Sequence, residues 1–79
     1  MDMRHIVGAN VKRLREGKKL SQEKLGFKSD LHRTYISDIE RAERNATVVI
    51  IKRLADALDV RPYELLMDDK DRKKLGRPS

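Results

Sequence analysis

Five polar side chains, Arg33, Thr34, Ser37, Asp38 and Arg41, are spaced through the stretch HRTYISDIER so that they could act together. On a helix that turns about 100° per residue they share one face, while Tyr35, Ile36, Ile39 and Glu40 share the other. One side is built to pack and the other to present. The presented side lacks apolar bulk and offers hydrogen-bonding groups of short or forked geometry, which suit base edges and phosphates in a DNA major groove. Arg33 opens this face, where a long forked donor can reach the O6 and N7 acceptors of guanine. Thr34 and Asp38 beside it can touch neighbouring bases or steer Arg33. The candidate base-reading set is therefore Arg33, Thr34, Ser37 and Asp38. An ordinary surface helix also turns polar residues outward, so this face alone leaves a solvated helix as the competing reading.

The elements that must position this face begin with the rest of the stretch, SQEKLGFKSDLHRTYISDIER, from Ser21 to Arg41, which reads as two short helices joined by a tight corner. Ser21 can cap the first helix with its hydroxyl, Glu23 and Lys24 suit its opening turns, and Leu25 gives it an inward anchor. Ser29, Asp30 and Leu31 then break it. Asp30 tolerates the left-handed backbone a sharp corner needs, and Leu31 can pin that corner to a core. His32 is a candidate cap for the second helix. Upstream, MDMRHIVGANVKRLREGKKL forms a first helix with Val7, Val11 and Leu14 on one arc and Ile6 flanking it, and Gly17 ends it. Lys18 and Lys19 can touch phosphate, or simply favour the negative end of that helix. Arg15 lies on the edge of the buried arc, where an unpaired guanidinium is costly, so it is expected to pair with a carboxylate, a DNA contact being the alternative. His5 has no partner at metal-ligand spacing and reads as a surface residue. Phe27, the only phenylalanine, is expected to cover the edge of the core rather than stack on a base.

After the motif, AERNAT is a loop and VVIIKRLADALDV a fourth helix capped by Thr47. Val48, Ile51, Leu54, Ala55 and Leu58 form its core stripe. Ile50 and Ala57 widen the stripe, and Val49 sits apart from it, giving more apolar surface than one small core needs. Pro62 suits a first helical turn and starts a short fifth helix through Tyr63, Leu65 and Leu66, with Leu65 closing the core. Val49, Ile50, Ala57, Pro62, Tyr63 and Leu66 are thus candidates for a homodimer interface. Local packing against Phe27 or the chain ends is the alternative. From Asp68 onward, DDKDRKKLGRPS is charged, lacks apolar periodicity and contains Gly76 and Pro78, which points to a flexible tail. The chain divides into a domain at 1–67 and this tail at 68–79.

A chain of 79 residues is one small domain, near the size where stability is marginal and association helps. There is no cysteine, so a disulfide framework and thiolate metal sites are excluded. No apolar run approaches the roughly 20 residues of a membrane span, and a soluble, cytoplasmic protein is expected. The formal charge of +6 favours a polyanionic partner, and residues 1–29 hold eight basic residues against three acidic ones. No phosphate-cradling glycine loop, zinc spacing or nucleophile-base constellation stands out, so no catalytic residue, metal or cofactor is assigned and an enzyme is not expected.

The pattern SQEKL, then SDL, then RTYISDIER resembles the helix-turn-helix of the phage repressor and Cro (XRE) family, and more closely still that of restriction-modification controller proteins. The resemblance runs from about Val7 to Leu66. It implies an all-α, compact five-helix, lambda-repressor-like domain whose second motif helix enters the major groove, two subunits binding a palindromic operator. It also implies transcriptional control of a restriction-modification operon, including its own promoter, with double-stranded DNA, a second copy of the chain and RNA polymerase as partners. A general phage-type repressor, or an antitoxin whose main partner is a toxin, would look similar. By the same resemblance Arg15 pairs with Glu40, and Gln22, Tyr35, Arg41, Arg44 and Asn45 lie near the sugar-phosphate backbone. Three positions depart from the family pattern: Gly26 stands in place of alanine, Asp30 in place of the turn glycine, and Ala42 in place of the glycine that often ends the reading helix.

Overall fold

Short polar caps followed by apolar residues at helical spacing set the architecture. A computed structural model describes residues 2–75 and contains, in order, α1 (Met3–Gly17), α2 (Gln22–Ser29), α3 (Arg33–Glu40), α4 (Val48–Leu58), a 3-10 helix (Pro62–Leu65) and α5 (Asp69–Leu75). The first four helices each begin at a side-chain cap. The Asp2 carboxylate accepts from the Arg4 N–H at 2.8 Å, Ser21 Oγ from Lys24 at 3.0 Å, His32 Nδ1 from Thr34 at 3.1 Å and Thr47 Oγ1 from Ile50 at 3.2 Å. Each cap satisfies an amide that the first turn leaves without a backbone partner.

The core is a single cluster made of Val7 and Val11 from α1, Leu25 from α2, Ile36 and Ile39 from α3, Ile51, Leu54, Ala55 and Leu58 from α4, and Leu65. Leu31 packs partly against it, pinning the corner between α2 and α3. α3 rests on both α1 and α2, while α4 packs on α2 and on the 3-10 helix. Two glycines make the first of these contacts possible. A Cβ at Gly8 would run into the Ile39 carbonyl oxygen, and one at Gly26 would lie 2.6 Å from that of Leu31. Glycine at 26 therefore lets α2 approach the corner backbone more closely than alanine would in this arrangement. Asn10, also buried, ties the far end of the chain to α1: its amide nitrogen donates to the carbonyls of Leu65 at 3.0 Å and Met67 at 2.7 Å.

Several expectations from the sequence are corrected. Phe27 is 88% exposed and covers no core edge. Leu25, Gly26 and Ser29 take the inward side of α2, and two residues on from Leu25 the helix has turned through about 200°, which aims Phe27 at solvent. Val48 is 85% exposed although its spacing assigns it to the α4 stripe: at about 100° per residue it falls at the edge of the arc whose buried members are Ile51, Leu54, Ala55 and Leu58. The fifth helix from Pro62 is one 3-10 turn of four residues. Within the segment expected to be a tail, Asp69–Leu75 is helical: Asp69 and Asp71 lie in its first turn, and Arg72, Lys73 and Lys74 in its last, where each sign of charge favours the helix dipole. The Asp68 carboxylate accepts from the Asp71 N–H at 2.9 Å, and Arg72 pairs with Asp69. Residues 76–79 of that segment lie outside the described residues.

Among the described residues the chain reverses at four non-glycine positions with left-handed backbone, Lys19 (φ 58°), Asp30 (φ 60°), Ala42 (φ 62°) and Asp59 (φ 58°). α1 runs through Gly17, so Lys19 rather than the glycine makes that turn. Asp30 and Asp59 belong to a residue type that visits this region comparatively easily, but alanine does not, at a cost of about 1–2 kcal/mol. Ala42→Gly should therefore stabilise the fold by about 0.5–1 kcal/mol, after the glycine's extra unfolded-state freedom is deducted. Urea unfolding should show a higher midpoint with an unchanged slope; a midpoint that falls would mean that Ala42 carries no strain.

Candidate nucleic-acid interface

The helix that presents the polar face is held from behind by a buried ion pair. Arg15 Nε donates to Glu40 Oε2 at 2.6 Å and Arg15 Nη2 to Glu40 Oε1 at 3.0 Å, with the two side chains only 11% and 4% exposed. Further partners complete the group. Arg15 Nη1 donates to the Leu20 carbonyl at 2.8 Å, and Gln22 Nε2 to Glu40 Oε1 at 3.1 Å. Hydrogen bonding to the Glu40 carboxylate holds the Arg15 guanidinium above its ordinary pKa. One carboxylate thereby joins α1, the α1-α2 connection, the start of α2 and the end of α3. Gln22, expected beside the sugar-phosphate backbone, is half-buried and spends its amide nitrogen on this group.

On the outer side, Arg33 and Thr34 are exposed at the first turn of α3, and neither side chain has an ion pair or hydrogen bond among the described residues. Their donors are free, and the positive end of the helix dipole lies beneath them. Ser37 and Asp38 are half-buried and engaged elsewhere. Asp38 does not steer Arg33: its carboxylate accepts from Arg41 Nη2 at 2.7 Å and from Arg44 Nη2 at 3.2 Å. The reason is angular, since Arg41 is one turn further along the same strip whereas Arg33 lies about 140° away around the helix. Ser37 Oγ accepts from Arg41 Nη1, and Glu43 accepts from Arg41 Nη2 at 3.1 Å. Arg44 completes the cluster by lying over the Tyr35 ring, its guanidinium carbon 4.5 Å from the centroid. Hydrogen bonding to Glu43, and to a lesser degree the nearby Asp38, raises the Arg41 pKa above its ordinary value.

The face thus has two zones. One, at the start of α3, offers the free Arg33 and Thr34. The other, at the end of α3 and the loop after it, gathers Tyr35, Ser37, Asp38, Arg41 and Arg44, with Asn45 exposed beside them. Glu43 is the member that sequence reasoning passed over; its only signal was its place two residues from Arg41. Among the described residues no group of three or more His, Cys, Asp or Glu could hold a metal ion, and no helix is long and apolar enough to cross a membrane. The arrangement offers forked cationic donors on an exposed surface, the chemistry of phosphate and base-edge recognition.

The buried pair predicts strong coupling. Arg15→Ala or Glu40→Ala leaves one charge buried without its partner and should each cost about 3 kcal/mol or more, whereas the double replacement should cost clearly less than the sum. Denaturant unfolding of the four proteins measures this, and strictly additive losses would show that the pair does not act as a unit.

Comparison with known proteins agrees with this geometry. A family model described as Helix-turn-helix matches residues 11–65. Control protein C.BamHI of Bacillus amyloliquefaciens is 48% identical over 66 residues, covering 82% of this chain and 82% of that protein. The solved restriction-modification controller protein C.AhdI from Aeromonas hydrophila is similar with a TM-score of 0.76 and 45% identity, over 78% of this chain and 94% of that one. The hypothetical transcription factor NHTF from Neisseria reaches a TM-score of 0.90 at 37% identity, over 95% of this chain and 86% of that one. With its buried α1-α3 clamp, tight corner and exposed polar helix, the chain belongs to the helix-turn-helix family of regulatory DNA-binding proteins, alongside the restriction-modification control proteins.

Proposed function

We propose that the chain is a sequence-specific transcriptional regulator that binds a palindromic operator as a homodimer and controls a restriction-modification operon, its own promoter included. The observation that carries the DNA reading is the pair Arg33 and Thr34, exposed and without partners among the described residues, at the leading end of a helix that is clamped from behind. Likeness to restriction-modification control proteins supports the choice of operon. In this reading α3 enters the major groove, Arg33 reads a guanine, and Tyr35, Arg41, Arg44 and Asn45 meet the sugar-phosphate backbone, fixing register. RNA polymerase is the further partner where the operator abuts a promoter, and the cytoplasm is where the protein works.

The dimer reading rests on apolar surface that the fold leaves uncovered. Val49 is 64% exposed, Tyr63 58% and Leu66 45%, with Ile50, Ala57 and Pro62 half-buried beside them in α4 and the 3-10 helix. Phe27, itself exposed, does not cover this surface. Two reading helices about 34 Å apart would match half-sites one turn of DNA apart, and a two-fold axis through this surface is the arrangement we propose for them.

Selection of bound duplexes from a random pool should return a two-fold symmetric consensus with half-sites about one turn apart, and a pool that gains no consensus would count against sequence-specific control. On the selected operator, Arg33→Ala should lose about 1–3 kcal/mol of affinity and much less on random DNA. Equal losses on both would make Arg33 a phosphate contact. Arg44→Ala should weaken both, and the salt dependence should become shallower by about one unit. Sedimentation at micromolar concentration should show a dimer that Leu66→Glu or Ile50→Glu weakens while circular dichroism stays helical. A folded wild type that remains monomeric both alone and on DNA would refute the dimer.

A further inference from the structure

Asp38 occupies a position on the presented face that would suit a base-reading carboxylate, yet both of its oxygens are committed inside the protein. Oδ1 accepts from Arg41 at 2.7 Å and Oδ2 from Arg44 at 3.2 Å, and the Asp38 side chain is 19% exposed while those of Arg41 and Arg44 are 53% and 47% exposed. The acid is therefore the recessed member of the cluster and the two guanidiniums form its outer surface. Asp38 takes hydrogen bonds from Nη2 of each arginine, and a guanidinium carries five N–H donors, so both arginines remain able to bind an outside anion. Their directions are fixed on other sides as well, Arg44 by the Tyr35 ring and Arg41 by Ser37 and Glu43.

We infer that Asp38 is an internal counterion and positioning residue, which holds Arg41 and Arg44 for the phosphates of a seated operator and weakens their capture of arbitrary DNA. The inference rests on the DNA-binding reading above. Its physics is that of counterion exchange. A phosphate arriving where the two guanidiniums already point can use their spare donors without breaking the carboxylate pairs. A phosphate arriving elsewhere must pull an arginine off Asp38, so the carboxylate competes with the backbone of non-cognate DNA for the same charge. Specificity then comes in part from a residue that touches no base.

The test is Asp38→Asn, with binding to the selected operator and to a random duplex measured across a salt series. Affinity for the random duplex should rise about tenfold at low salt and its salt dependence should steepen by about one unit. Operator affinity should change less than threefold, because the loss of positioning offsets the gain from removing a negative charge, so discrimination falls. Asp56→Asn, which removes an acid paired with Lys52 on α4, controls for the change in net charge and should leave discrimination unaltered. In an Arg41→Ala, Arg44→Ala background the Asp38→Asn change should have no effect on random DNA. Unchanged random binding would overturn the inference, as would an equal rise on both duplexes. So would a loss confined to the operator with an altered preference at one base pair, which would make Asp38 a base reader. Should the variant unfold, the wild type still decides the matter. Its Asp38 carboxyl carbon resonance should shift when random duplex is added, and a resonance unmoved at saturation overturns the inference. The random-duplex arm needs no operator, so a wild type lacking any preferred sequence would undo the regulator reading and leave this result readable.

Discussion

A guanidinium and a carboxylate buried against each other, Arg15 on α1 and Glu40 at the end of α3, determine where the exposed face of this protein can lie. Eight residues are too few for a helix to persist alone, so α3 takes its stability and its orientation from what it packs on. Removing two charges from water costs several kcal/mol per ion, and only good geometry with further hydrogen bonds offsets that. Here the pair makes two parallel bonds, and the Leu20 carbonyl and Gln22 amide satisfy remaining sites. An apolar contact would also stabilise the fold, but it would tolerate sliding and rotation that a forked pair does not.

Backbone approach does the rest of the positioning. Gly8 lets α1 close on the carbonyl end of α3, and Gly26 lets α2 close on the corner that leads into it. Asp30 turns that corner with a left-handed backbone while Leu31 seals it against the core. The reading helix is therefore fixed by an ion pair and a backbone contact to α1, by the backbone contact at the corner that leads into it, and by the buried Ile36 and Ile39. The polar strip remains free because every inward direction is already taken.

Local relations were legible in the sequence. A cap is a matter of two or three residues, and Ser21, His32 and Thr47 could be recognised as caps from their immediate neighbours. The demand of Arg15 for a carboxylate followed from its place on the helix edge, although the identity of the partner came from family resemblance. Periodicity was less informative where it had to say how far a partner surface extends. It placed Val48 on the α4 stripe but could not tell that its side chain stays exposed, and it said nothing of the exposure of Phe27. The cluster of Tyr35, Asp38, Arg41 and Arg44 was hidden for another reason: it depends on the path of the chain after α3, which Ala42 sets by adopting a backbone conformation that its side chain disfavours. α5 was missed because its order comes from charge placement rather than from an apolar stripe.

The central claim is that a clamped α3 lies in the major groove and presents Arg33 to a guanine, once in each half of a symmetric site. Guanine N7 methylation interference on the selected operator tests it most directly, because a methyl group at N7 blocks that contact and lies in the major groove. The account predicts two groups of interfering guanines with centres about 10 base pairs apart, and loss of that interference in Arg33→Ala. Binding that is indifferent to N7 methylation, or that is disturbed only by adenine N3 methylation in the minor groove, would contradict it.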